Sequence, residues 1–257
     1  MRNATKTTVS TFDGLPKMEE NRTQWNILFK IGGIAALIAV FIFRKNIGSE
    51  LNGIFHIGPE VMPTTAIEWF ILLDDSPFLG LIFLNIFDLV NNFLVGVMLL
   101  ALFGALHKTN HGAMVYVFIL GLVGIILSFA SNQAFALLNL SKLYFNTTSE
   151  EQQLTLLAAG EALLAIDFQG TAMYLSHFFI ASAGLISSII MLRNPIFSKL
   201  NARFGIIANL CLLSYFIPII FFPSLVAIPF VLAAPFILVW QFLIGRKLIQ
   251  ISKEDVS

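Results

Sequence analysis

The chain has 257 residues, of which 57% are hydrophobic and 12% charged, with a mean hydropathy of +0.85. A soluble domain carries about 25% charged residues, so this balance excludes an ordinary soluble globule. The 15 basic and 15 acidic residues cancel, leaving no basic excess for binding nucleic acid, and the single cysteine, Cys211, excludes an intramolecular disulfide or a Cys-X-X-Cys redox pair.

Repeated apolar runs near twenty residues predict an all-α, polytopic transmembrane bundle of six helices, with the lipid bilayer as its partner. Residues 1–25 read as a polar tail of mixed charge without the apolar core of a signal peptide. The transmembrane domain, 26–247, opens with a helix over 26–43. Its Gly32, Gly33, Ala35 and Ala36 form a small-residue patch for close helix contact, and Arg44-Lys45 ends it. A loop over 44–76 follows, with a turn signal at Asn52-Gly53. Within it, 66–73 is apolar but too short to span, and Trp69 suits the membrane interface.

Asp74-Asp75-Ser76-Pro77 supplies an N-cap serine and a first-turn proline for the second helix. The apolar run predicts one unbroken helix from Pro77 to Leu106. At about 1.5 Å per residue that is roughly 45 Å, longer than a bilayer core, so one end protrudes or the helix tilts. The third helix is expected over 113–135. In the connection 136–170, Thr148 and Glu151 have capping-box spacing, and a short helix over 154–166 is expected on the membrane surface. The fourth helix covers 171–192 and stops at Arg193-Asn194-Pro195. The fifth covers 204–222, kinked at Pro218. The sixth covers 225–244, closed by Gly245-Arg246-Lys247, and 248–257 forms a short tail. No repeat relates the first three helices to the last three.

Twelve of the fifteen basic residues fall on the side that holds both ends of the chain. The positive-inside rule therefore predicts a cell-membrane protein with both termini cytoplasmic and both long loops outside.

The run Ile86-Phe87-Asp88-Leu89-Val90-Asn91-Asn92 interrupts the second helix with polar groups. Burying an unpaired polar group in hydrocarbon costs about 2–7 kcal/mol, and an ionisable residue within a span is a functional-site hypothesis by default. Asn85, Asp88, Asn92 and Gly96 fall within about 80° of one another on a helix. Gly121, Gly124, Ser128 and Asn132 form a stripe on the third helix, and Tyr174, His177, Ala181, Gly184 and Ser188 share a face of the fourth. Counted from the outer ends, Asp88, Asn132 and His177 agree in depth to about 5–10 Å.

The expected site is a polar pocket in the outer half of the bundle. It comprises Asn85, Asp88, Asn92, Ser128, Asn132, Tyr174 and His177, with Glu161 of the surface helix as a cap. It would bind or pass a small ligand, or support a partner. The competing reading makes the asparagines and serines interhelical glue, whose bonds average about 0.6 kcal/mol in a membrane, and lets Glu161 face water. Two alternatives stand beside it: a hydrolase or metal enzyme using Asp88, His177 and Glu161, and an assembly subunit without a site.

Catalytic motifs are incomplete. His107 and His111 have the spacing of a metal pair but lack the glutamate of His-Glu-X-X-His, and read as a turn with two solvated histidines. Glu150-Glu151 resembles the start of an intramembrane CAAX-protease signature, but Leu154 stands where a basic residue is required. Gly184-Leu185-Ile186-Ser187 lacks the Gly-X-Ser spacing of a nucleophile. There is no phosphate loop or dinucleotide fingerprint. His177 alone lies well inside a helix, which argues against a haem pair. The chain thus leans away from an enzyme, with no metal or cofactor expected.

Four blocks carry a family likeness: Ala130-Ser131-Asn132-Gln133-Ala134-Phe135, the stretch Leu157-Ala158-Ala159-Gly160-Glu161-Ala162-Leu163-Leu164-Ala165, Gly170-Thr171, and Met191-Leu192-Arg193-Asn194-Pro195-Ile196-Phe197-Ser198. Over about residues 80–215 the chain resembles uncharacterised prokaryotic six-helix integral membrane proteins grouped as domains of unknown function. The resemblance implies the six-helix architecture and no activity, and leaves residues 1–60 unaccounted for.

Overall fold

A computed structural model describes residues 15–50, 63–225 and 227–254. The Asn52-Gly53 turn and most of the expected N-terminal tail lie outside the described residues. Every regular element among the described residues is helical: α1 (Leu15–Glu50), α2 (Ala66–Asp75), α3 (Pro77–Phe83), α4 (Ile86–Leu106), α5 (His111–Ser131), α6 (Ala134–Asn146), α7 (Glu150–Gln169), α8 (Thr171–Met191), α9 (Lys199–Ser214), α10 (Phe216–Phe221) and α11 (Ala227–Glu254), with one 3-10 turn at Pro223–Leu225.

Among the described residues, six stretches are long and apolar enough to cross a membrane, which makes this a multi-pass membrane protein by length and composition. The spanning parts of α1, α4, α5, α8, α9 and α11 form a closed ring. α1 packs on α4 and α11, α11 on α9, α9 on α8, α8 on α5, and α5 on α4. Small residues set the closest approaches. A methyl group on Gly33 would lie 2.8 Å from the Gly245 carbonyl oxygen, and Gly32 abuts Ala101 of α4. The small patch in the first span therefore touches two neighbours at once, as close packing without a hydrophobic drive requires. Gly245 does not end the last helix, as its sequence context suggests. It is buried against Gly33, and α11 continues through Arg246-Lys247 to Glu254.

Five other expectations change. The first helix is not confined to 26–43: it begins by Leu15, within the expected tail, and runs through Arg44-Lys45 to Glu50. The second helix is not continuous: α3 ends at Phe83 and α4 starts at Ile86, with Asn85 between them in the left-handed region at φ 58° and ψ 31°. Asparagine tolerates that conformation better than most residues. The surplus length that protrusion or tilt would absorb is instead turned aside at this break. The third helix likewise ends at Ser131, and the expected linker continues as α6. The short surface helix is part of the twenty-residue α7, capped by the Ser149 side chain, which accepts from the Gln152 N–H. In the fifth span the helix breaks at Tyr215, next to the Ser214 carbonyl that Pro218 cannot hydrogen-bond.

The breaks partition the molecule. α4, α5 and α8 each have 21 residues, about 31 Å and the thickness of a bilayer core. Where α4 begins, α5 ends and α8 begins, the chain turns into α2, α3, α6 and α7. These four helices form a cap with its own core: Trp69, Phe70, Leu73, Phe83, Leu84, Leu137 and Leu164 are buried together. The ring's main core, including Met98, Leu102, Leu106, Met114, Met191 and Ile244, fills the half farther from the cap.

Candidate functional site

Between those two apolar cores lies a polar pocket. Its walls are Asn85, Asp88, Leu89 and Asn92 from the start of α4, Ser128, Ser131 and Asn132 from the end of α5, Asp167 from α7, and Met173, Ser176 and His177 from the start of α8. Nine of these eleven residues are polar, and none is lysine or arginine. The cavity holds about 80 Å³, enough for a few waters, an ion or a small head group, against about 300–1,000 Å³ for drug-sized ligands.

The polarity originates in the helix breaks. A broken helix frees backbone N–H and C=O groups that need partners. Asn132 serves both breaks: its Nδ2 donates to the Leu84 carbonyl at 3.1 Å, and its Oδ1 accepts from the Ala134 N–H at 3.2 Å. Asp167 Oδ1 accepts from the neighbouring Gln133 N–H at 2.6 Å. That puts a carboxylate at the N-terminus of α6, where the helix dipole favours it. Asn92 Nδ2 donates to Ser128 Oγ at 2.7 Å and ties α4 to α5. For Asn92, Ser128 and Asn132 the glue reading therefore has specific partners.

His177 differs. Its ring packs edge-on to Phe230 at 5.7 Å and Tyr215 at 6.4 Å, and its buried Nδ1 makes no well-aligned hydrogen bond. Asp88 lines the same pocket and holds an intramolecular partner of its own.

The structure thus brings together Asn85, Asp88, Asn92, Ser128, Asn132 and His177. It does not bring Tyr174 or Glu161 to them. Tyr174 stacks obliquely near Tyr215 at 6.3 Å. Glu161 Oε1 accepts from the Ala66 N–H at 2.6 Å, holding the N-terminus of α2 rather than closing the pocket. Beside it, a methyl on Gly160 would lie 2.7 Å from Phe70 Cζ, so α7 and α2 meet through this Gly-Glu pair. Asp167 is the member that sequence reading misses. It sits at the end of a segment read as surface-lying, and only its place three residues before the Gly170 turn into α8 hints that it faces the bundle.

His107 is not a solvated turn residue. It lies between Trp25, 5.6 Å away and nearly parallel, and Phe103 at 5.7 Å, while its Nδ1 pairs with the Gly104 carbonyl at 2.8 Å. His111 is exposed, 6.3 Å from His107 between ring centres. Among the described residues no three His, Cys, Asp or Glu side chains group as a metal site.

The chain matches no protein-family model, no curated protein and no solved structure.

Proposed function

We propose that this protein binds a small cation, or the small cationic group of a larger ligand, in the pocket between the ring and the cap. The observation that carries this is a cavity of about 80 Å³ lined by two carboxylates and several carbonyl and hydroxyl oxygens, with no lysine or arginine in its wall and His177 as its one imidazole. Asp88 and Asp167 each hold an intramolecular contact, so a bound cation joins or exchanges with those contacts. The apolar core on the far side of the pocket favours binding over open passage. With both termini cytoplasmic, the orientation favoured by the basic residues, the pocket lies in the outer half.

A purely structural reading draws on the backbone bonds made by Asn132 and Asp167. The hydrolase reading loses Glu161, which is engaged at α2.

The test is a thermal-unfolding series on purified protein with sodium, potassium, calcium, ammonium and methylammonium as probes. At least one cation should raise the unfolding temperature of the wild type, and Asp88→Asn should remove that response while keeping the fold. If no cation shifts the wild type, the pocket serves the helix breaks alone.

A further inference from the structure

The α4–α5 seam is the most sparsely packed in the ring, and it carries a second cavity, of about 190 Å³. Phe93, Gly96, Val97, Leu99 and Leu100 of α4 and Phe118, Leu122 and Ile125 of α5 line it. Every wall residue is apolar. The two cavities lie end to end on the same pair of helices. On α4 the pocket takes residues 85 to 92 and the groove 93 to 100; on α5 the pocket takes 132 to 128 and the groove 125 to 118. The Asn92–Ser128 hydrogen bond marks the boundary. Phe93, Leu100 and Leu122 are exposed on the outside of the ring, so the groove opens where lipid chains lie. Gly96 keeps it open: a methyl there would meet only the tip of Ile125.

A polar, carboxylate-lined chamber next to an apolar slot on the same two helices fits an amphiphile. We propose that the seam binds a single-chain amphiphile from the bilayer, its small ammonium head in the pocket and its alkyl chain in the α4–α5 groove. From Asp88 to Leu100 the helix rises roughly 18 Å, the reach of a long chain rather than a short one. The head supplies the selectivity, because an alkyl chain gains little on moving from lipid into an apolar groove. The inference rests on the pocket's taking a cation and adds the ligand class.

The experiment uses the full chain in lipid nanodiscs. The probe is a long-chain alkylammonium with a photoreactive diazirine in mid-chain; the control has the same chain and a carboxylate head. Adducts are mapped by mass spectrometry. The ammonium probe should label the stretches 93–100 and 118–125, the carboxylate control should not, and excess methylammonium should compete. Gly96→Leu, which fills the slot, should cut the labelling about tenfold while leaving the methylammonium thermal shift intact. Leu122→Trp, at the exposed mouth of the groove, is the second variant and should do the same. Even labelling of all lipid-facing helices, or labelling unchanged in both variants, overturns the amphiphile while the cation reading stands. A wild type that responds to no cation and shows no head-dependent labelling overturns both.

Discussion

Asn132 and Asp88 face the same cavity with different duties, and substitution separates them. Asn132 satisfies a carbonyl on one broken helix and an N–H on another. Asn132→Leu leaves both groups without their side-chain partner, and a lost partner in a buried setting costs about 1–3 kcal/mol. The variant should therefore unfold at a clearly lower temperature than wild type, with or without added cation. Asp88→Asn keeps the shape and the hydrogen-bonding capacity of the side chain. It should unfold close to wild type in the absence of cation and lose the cation-induced shift, whereas Asp88→Leu should be destabilised as well. Equal cation responses in wild type and Asp88→Asn would remove the functional claim for this carboxylate. Asn85 gives a backbone test. Its positive φ is open to glycine and costs a β-branched residue about 1–2 kcal/mol. Asn85→Gly should unfold near the wild-type temperature and Asn85→Val below it.

The cap depends on how α2 is seated. Its N-terminus is held twice: Thr65 and Glu68 form a reciprocal capping box, and Glu161 reaches across from α7 to the Ala66 N–H. Glu68 accepts from the backbone N–H groups of Thr64 and Thr65, and those bonds, with Thr64's first, hold its carboxyl below the usual range. A depressed folded-state pKa stabilises above the unfolded value, near 4.5, and that stabilisation is lost as pH falls through the lower folded value. Amide hydrogen exchange, corrected for intrinsic rates, should show residues 64–69 equally protected at about pH 7 and about pH 6, and opening towards about pH 3. Glu68→Gln should flatten that dependence. Where α7 meets α2, Gly160→Val would drive a branched side chain into Phe70. Limited proteolysis should then cut around α2 and α7 faster than in wild type, with the ring helices still protected.

At the scale of the whole molecule, the ring places its dense core at one end and its polar pocket under the cap. Which membrane face carries the cap is a matter of charge, and the distribution of basic residues predicts both chain ends on the opposite, cytoplasmic side. A reporter active only in the cytoplasm should work when fused after Lys247 and be silent when inserted near Asn146, between α6 and α7. The reverse pattern would put the pocket in the cytoplasmic half.

Much of this was legible in the chain itself. Apolar runs of span length identify six crossings, because backbone in lipid has to satisfy its own hydrogen bonds and helices do so locally. The stripes on the second, third and fourth spans placed Asp88, Asn132 and His177 within one cavity, because helical periodicity and a shared starting level fix rotation and depth together. The interruptions at Asn85 and Asn132 were not legible. Asn85 lies in an apolar run and the short polar stretch Ser131-Asn132-Gln133 is flanked by apolar sequence on both sides, and each break is held by a side chain from another helix that pairs with a freed backbone group. For the same reason Asp167, to which the sequence assigns no role, takes the place in the pocket wall expected of Glu161. Sequence shows carboxylates near the bundle's end, but only the packing of α7 against α2 and α6 decides that both hold helix ends and that Asp167 alone of the two meets the pocket.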